Sequence, residues 1–228
     1  MRIVCCIPAR GGSKGVPNKN GRMLCGQPLL AYPIVDSIRV KEIQATYVST
    51  DSQALAEIAL QYGAEVPFLR PAELAKDTSL DIDWALHFLD WYEERYSILP
   101  DYIVHLRTTT PFRKIELISE AIEKIKQNPD ATSLISVEEA GEPFKSFLFP
   151  KGETYLKPLF ELENHLLPRQ NFPSVYTPNG YVDILKTSRV IKGDFHGDKI
   201  IPFIVPKVPE IDTLADWDYA EWVGSKII

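Results

Sequence analysis

Arg10, Lys14 and Lys19 lie on a glycine-rich stretch, Ala9-Arg10-Gly11-Gly12-Ser13-Lys14-Gly15-Val16-Pro17-Asn18-Lys19-Asn20, that follows the apolar run Ile3 to Pro8. Glycines without a β-carbon let backbone N–H groups close around phosphate oxygens, and Arg and Lys add charge that persists at physiological pH. The loop is therefore read as the seat of a nucleoside triphosphate. Arg10 and Lys19 would neutralise phosphoryl oxygens, Ser13 and the loop amides would hold the β- and γ-phosphates, and Lys14 would add a further cation. Its spacing matches neither the Walker loop, which needs Gly-Lys before Ser or Thr, nor G-x-G-x-x-G. Adenylate-type kinases and NAD enzymes are thus disfavoured. The plainer alternative is a solvated basic turn after a strand, and Lys14 fits that alternative most readily.

Near the C-terminus, Glu210-Ile211-Asp212-Thr213 sets two carboxylates two residues apart, so in an extended segment they point to one side. That geometry suits a divalent ion. Magnesium takes a few carboxylate oxygens together with phosphate oxygens and water, which a triphosphate site would provide. Asp216 and Asp218 follow in a predicted helix, where they read as N-terminal charges facing the helix dipole.

The elements that must position these groups follow from periodicity. Apolar segments at Ile3 to Pro8, Ala45 to Ser49, Tyr102 to Leu106 and Ser133 to Val137 alternate with amphipathic stretches, the rhythm of a mostly parallel sheet. Three helical faces fall between them: Leu55, Ile58, Ala59 and Tyr62; Trp84, Leu86, Phe88, Leu89, Trp91 and Tyr92; Ile115, Ile118, Ile122 and Ile125. Ser52 and Asp81 are predicted helix caps. Further strands are expected at Gly180 to Leu185 and Ile200 to Val205, and a last helix from about Leu214. Ligands of such sheets bind beyond the carboxyl ends of the strands, where the glycine loop, the segment after Ser49 and the turn from Arg107 to Arg113 all lie. Residues 138–178 lack a helical period and carry Phe144, Phe147, Phe149, Leu156, Leu159 and Phe160, so they are read as an insertion with exposed aromatics.

The chain has 228 residues, is 45% hydrophobic and carries a formal charge of −6, which fits one α/β domain, residues 1–228, and argues against nucleic acid or an acidic membrane surface as partner. No apolar run approaches the roughly 20 residues of a membrane span, and a cytoplasmic location is expected. Cys5, Cys6 and Cys25 read as reduced core residues, and His87, His105, His165 and His196 as ordinary partly buried or surface residues.

The strings Ile7-Pro8-Ala9-Arg10-Gly11-Gly12-Ser13-Lys14-Gly15 with Lys19-Asn20, Arg70-Pro71-Ala72-Glu73-Leu74-Ala75 with Asp77-Thr78, Pro111-Phe112-Arg113, Pro168-Arg169-Gln170, Pro178-Asn179-Gly180 and Ile211-Asp212-Thr213 succeed one another across nearly the whole chain. In that order they resemble the acylneuraminate cytidylyltransferases, also called CMP-sialic acid synthetases. The resemblance implies a three-layer α/β fold of the nucleotide-diphospho-sugar transferase (Rossmann-like) kind, with residues 138–178 as a dimerisation arm that closes the partner's sugar site in a homodimer. It implies magnesium-dependent transfer of CMP from CTP to the anomeric hydroxyl of a nonulosonic acid, with release of pyrophosphate.

By the same resemblance, Ala9, Arg10, Gly11, Gly12, Ser13, Lys14, Lys19 and Asn20 bind the nucleotide, Asn20 supporting the loop or the ribose. Arg10, Lys19 and Asp212 serve catalysis. Asp212 is the stronger metal ligand, and Glu210, where the family commonly has Asp, would coordinate through water. The Arg70 segment reads cytosine, whose acceptors suit an arginine, and Ser79 and Asp81 occupy the next turn. A simpler account of Arg70 is a salt bridge to Glu73 or Asp77. A sugar acid calls for a cation at its carboxylate, for which Arg107, Lys145 and Arg169 are candidates; the resemblance supports Lys145 and Arg169 and adds Asn179.

The chain departs from the family pattern on the sugar side. Arg107 and Thr108 stand where well-known sialic acid enzymes have Gln and Pro, Thr177 replaces an arginine, and Asp183 falls where a tyrosine is usual. These departures point away from N-acetylneuraminate towards a related sugar of the legionaminic acid type. The alternatives are a CMP-octulosonate synthetase and a non-catalytic nucleotide-binding module; retention of both Glu210 and Asp212 argues against the latter.

Overall fold

Alternate residues of β1 (Ile3–Pro8) go to opposite faces: Ile3, Cys5 and Ile7 join one apolar cluster, while Val4 and Cys6 join another. That is the period-two signature of a strand covered on both sides. In the computed structural model, which describes residues 1–148, 150–152 and 154–227, β1 lies parallel between β2 (Thr46–Ser49) and β3 (Tyr102–His105). With β4 (Ser133–Glu139), β5 (Tyr176–Lys186) and β6 (Ile200–Ile204) they form a six-stranded sheet in the order β6-β4-β5-β3-β1-β2. β5 runs antiparallel to both neighbours; the other pairings are parallel.

One face is covered by α1 (Ala31–Arg39), α2 (Gln53–Gln61) and α4 (Ile115–Lys126), the other by α3 (Asp81–Tyr96) and the short α5 (Thr187–Val190), giving three layers. Ser52 caps α2 as expected, its Oγ accepting the Leu55 N–H at 3.4 Å. Asp81 does not cap α3. Leu80 is the N-cap, and the Asp83 carboxylate accepts the Leu80 N–H at 2.8 Å, leaving Asp81 as the first helical residue with its side chain turned to Arg107.

A third, smaller core joins Val16 of the glycine loop to Ile211 and to Trp217 and Ala220 of α6 (Leu214–Ile227). It ties the loop to the segment that carries Asp212. Thr213 and Asp216 cap α6 reciprocally: Thr213 Oγ1 accepts the Asp216 N–H at 3.2 Å, and Asp216 Oδ2 accepts the N–H groups of Thr213 at 2.8 Å and Asp212 at 3.1 Å.

Between β4 and β5 the chain leaves the sheet after Glu139 and returns at the paired Tyr176. The excursion holds a two-stranded ribbon, Phe147–Leu148 with Lys157–Pro158, and a cluster in which Phe144 stacks on Phe172 at 4.8 Å and meets Phe160 at 5.0 Å. Leu166 and Tyr155 are 87% and 79% exposed. Phe149, expected among these aromatics, lies outside the described residues. Among the described residues no helix is long and apolar enough to cross a membrane, and Cys5, Cys6 and Cys25 are free thiols, the first two buried.

Candidate active site

A cleft of about 400 Å³ opens at the carboxyl ends of β1 and β3. Arg10, Ser13, Lys14, Gly15, Lys19 and Asn20 of the glycine loop line it together with Arg70, Ser79, Asp81, Arg107 and Asp212. Residues far apart in sequence therefore meet in one space because the strand ends bring their loops together.

The loop is held by specific contacts. Buried Asn20 donates from Nδ2 to the Arg10 carbonyl at 2.9 Å and accepts the Thr108 hydroxyl at 2.8 Å, so its role here is to support the loop. Lys19 Nζ donates to the Ile211 carbonyl at 2.8 Å and to Asp212 Oδ1 at 3.1 Å, fixing a cation beside a carboxylate. Arg10 and Lys14 both form ion pairs with Asp77, from the segment before α3. Gly15 lets the loop pass against the Asp212 carbonyl: a Cβ there would lie 1.9 Å from that oxygen.

Arg70 is 6% exposed, and burial lowers its pKa. Its Nε is buried with no hydrogen-bond partner among the described residues, while Asp77, one suggested salt-bridge partner, is taken by Arg10 and Lys14. Ser79 closes its turn by accepting the Lys76 N–H at 3.0 Å and donating to the Glu73 carbonyl at 3.2 Å.

At the inner end of the cleft, β3 and β5 set His105 directly opposite Asp183. Asp183 Oδ2 stands 3.6 Å from His105 Nδ1 and 3.7 Å from Arg107 Nε, and Arg107 Nη2 donates to Asp81 at 3.1 Å. Burial raises Asp183 to about 6 despite Arg107. Burial also drives the His105 pKa well below the usual histidine range, reinforced by Arg107 and Arg113, so His105 is a neutral ring against Trp84. Gly180, at φ 65°, leaves room for the Arg107 side chain, which an added Cβ would meet at 2.8 Å. Beneath this turn the buried Arg113 donates to the carbonyls of Arg107, Gly180 and Tyr181.

Several expected residues stand elsewhere. Gly11 turns away from the cleft, its N–H donating to Asp51 at 2.8 Å, while Ala9 is buried, and neither they nor Gly12 line the cleft. Asn179 is buried behind the wall, its carbonyl accepting from Thr110 at 3.5 Å. Lys145 and Arg169 line a separate hollow of about 220 Å³ on the excursion, paired with Glu142 at 3.0 Å and Glu139 at 2.7 Å. Trp84, His105 and Asp77 line the main cleft without having been singled out as site residues. Trp84 was read as core, and His105 as an ordinary histidine although it is 1% exposed.

The fit to magnesium rests on the donor set. Among the described residues no group of three or more His, Cys, Asp or Glu gathers as a metal site. The chain offers Asp212 in the cleft with Glu210 two residues before it, whose pKa is raised by burial and by the Asp212 charge. A like-charge pair short of further protein ligands suits an ion that completes its shell with phosphate oxygens and water.

Residues 4–177 match the family model described as cytidylyltransferase. The CMP-N,N'-diacetyllegionaminic acid synthase of Legionella pneumophila is 34% identical over 226 residues, covering 97% of this chain and 95% of that protein. The pseudaminic acid cytidylyltransferase of Campylobacter jejuni serotype O:23/36 is 28% identical over 232 residues, with 97% and 95% covered. Among solved structures, CMP:2-keto-3-deoxy-manno-octonic acid synthetase complexed with CTP superposes with a TM-score of 0.74 over 100% of both chains at 13% identity, a likeness of fold.

Proposed function

The chain belongs to the cytidylyltransferase family, and we propose that it transfers CMP from CTP to the anomeric hydroxyl of a nonulosonic, sialic-acid-like sugar acid. The sugar oxygen bonds to the α-phosphorus as the bond to the β-phosphate oxygen breaks. Pyrophosphate leaves, and the hydroxyl proton passes to water. The observation that carries this reading is the single cleft in which the loop cations, Arg70 and Asp212 all meet. No protein nucleophile is needed; positioning and charge stabilisation supply the catalysis.

In this reading Lys19 and Arg10 stabilise negative charge on the phosphoryl oxygens, and Ser13 with the loop amides orients the β- and γ-phosphates. Buried Arg70, with an unpartnered Nε, supports recognition of cytosine acceptors. Asp212, with Glu210 beside it, would hold magnesium, which when bound supplies charge neutralisation on the triphosphate. Arg107, steadied by Asp81 and Asp183, faces the acceptor. Lys145 and Arg169 lie apart from the cleft, and the exposed apolar residues around them support a homodimer whose arms carry these cations to the partner's acceptor.

The relative named for diacetyllegionaminic acid supports the acceptor class towards which the departures at Arg107, Thr177 and Asp183 point. The test is pyrophosphate release with magnesium and a panel of neuraminic, legionaminic, pseudaminic and octulosonic acids, using CTP, ATP and GTP. CTP with a legionaminic-type acid should give the highest kcat/KM. Comparable turnover with a purine triphosphate, or none with any sugar acid, would overturn the proposal; preference for the octulosonic acid would move the chain to that acceptor class.

A further inference from the structure

Asp77 uses both carboxylate oxygens on the loop cations, Oδ1 towards Arg10 Nη1 and Oδ2 towards Lys14 Nζ. It lines the same cleft as they do, so an anion already bridges the two groups that the triphosphate reading assigns to phosphate oxygens. Lys19 is arranged differently. Its ammonium is anchored by the Ile211 carbonyl and Asp212, and Asp77 does not touch it. Lys19 is thus held by a backbone carbonyl as well as by Asp212, whereas Arg10 and Lys14 share the one carboxylate of Asp77.

We propose that Asp77 competes with phosphate oxygens for Arg10 and Lys14, and so limits how tightly the cleft holds CTP and how long it keeps pyrophosphate. The inference rests on the cytidylyltransferase reading for the identity of its ligands. The side chains of Arg10, Lys14 and Asp77 are 36%, 82% and 41% exposed. Exposed ion pairs of this kind are weak and exchange readily, as a competitor must. After transfer the chemistry runs in the other direction: pyrophosphate sits on the same cations, and the returning carboxylate takes them over as the product departs. Asp77 touches neither nucleotide nor sugar in this scheme; it is a positioning residue that acts through Arg10 and Lys14.

Calorimetric titration of Asp77→Asn and Asp77→Glu with inorganic pyrophosphate, CTP and cytidine tests this, together with steady-state kinetics. Asp77→Asn should bind pyrophosphate and CTP about two- to tenfold more tightly, with cytidine affinity unchanged and the gain shrinking as salt is raised. Its KM for CTP should fall and its kcat should fall with it, because the product is retained. Asp77→Glu, which keeps the charge, should behave as the unaltered protein. Pyrophosphate binding that is unchanged or weaker in Asp77→Asn, or cytidine affinity that drops alongside, would overturn the proposal and make Asp77 a brace for the turn before α3. Pyrophosphate titration needs no transfer chemistry. Tighter pyrophosphate binding in a protein that turns over no sugar acid would therefore remove the enzymatic reading while leaving the competition in place.

Discussion

Gly15→Ala is a sharp perturbation because it separates the loop from the segment before α6 that carries Asp212. The added Cβ would lie 1.9 Å from the Asp212 carbonyl oxygen and 3.2 Å from its carbon, whereas real Cβ atoms essentially never come within 3.0 Å, so the two backbones must part by about 1.1 Å. Neither side yields easily. Val16 is buried with Ile211 and Trp217, Lys19 grips the Ile211 carbonyl and Asp212, and the Asp212 N–H is held by Asp216. Overpacking of this sort costs about 1–3 kcal/mol, or about 2–4 °C in Tm for each kcal/mol at this chain length. Misplacing positioning groups by about 1 Å costs about 100-fold in rate. Pyrophosphate release from the folded variant should therefore show kcat/KM for CTP reduced by about two orders of magnitude. Gly12→Ala in the same loop, with nothing within 4 Å of its Cβ, is the control and should be tolerated. An unchanged kcat/KM in Gly15→Ala would refute the claim that this contact sets the distance between triphosphate and metal side.

Three further outcomes are expected. Asp212→Ala should lose most turnover with little change in Tm, since its side chain is 66% exposed, and Glu210→Ala should be milder; near-normal kcat for Asp212→Ala at saturating magnesium would sink the ligand assignment. Burial raises Asp183 from 3.8 to about 6, so the folded chain holds that proton more tightly and stability falls as pH rises through this interval. Asp183→Asn removes the effect, and its stability relative to the unaltered protein should be greater at pH 8 than at pH 4 by up to about 3 kcal/mol; equal differences in thermal melts at the two pH values would contradict the burial argument. Light scattering should report a dimer, and a fully active monomer would remove the shared-site role of Lys145 and Arg169.

Where one residue type performs one local job, the sequence was legible. The end of β1 at Pro8, the Ser52 cap and the helical faces of α2, α3 and α4 are as the sequence implies, because each depends on short-range spacing. α1 was not marked. Its apolar run begins directly after the two-residue strands at Met23–Leu24 and Gln27–Pro28, and Pro33 in its first turn resembles a breaker although it costs nothing at that position. Asp81 was misassigned as a cap because Asp is a common N-cap residue, yet the Asp83 carboxylate reaches back to the Leu80 N–H and moves the boundary by one residue.

The inner end of the cleft was legible only in part, and the reason is topological. Asp183 and Arg107 stood out in the sequence as unusual residues, and Arg107 lies two residues beyond His105, but nothing local links Asp183 to either of them. Their meeting depends on β5 running antiparallel between β3 and β4, which sets Asp183 across from His105, and on Gly180 making way for Arg107. Reversing β5 also turns its start towards the ligand end of the sheet, so residues from the return of the excursion, Tyr176 to Asp183, reach the same end as the glycine loop. In the proposed reading the triphosphate contacts fall on the glycine loop and Asp212, and the acceptor contacts on Arg107 and β5, the strand of the six-stranded sheet that runs antiparallel to its neighbours. Substitutions at Asp183 or Arg107 can change the polar pattern offered to the sugar while Lys19, Asn20 and Asp212 keep their contacts. That separation gives a physical reason why the nucleotide motif is family-like in this chain while the sugar side departs from it.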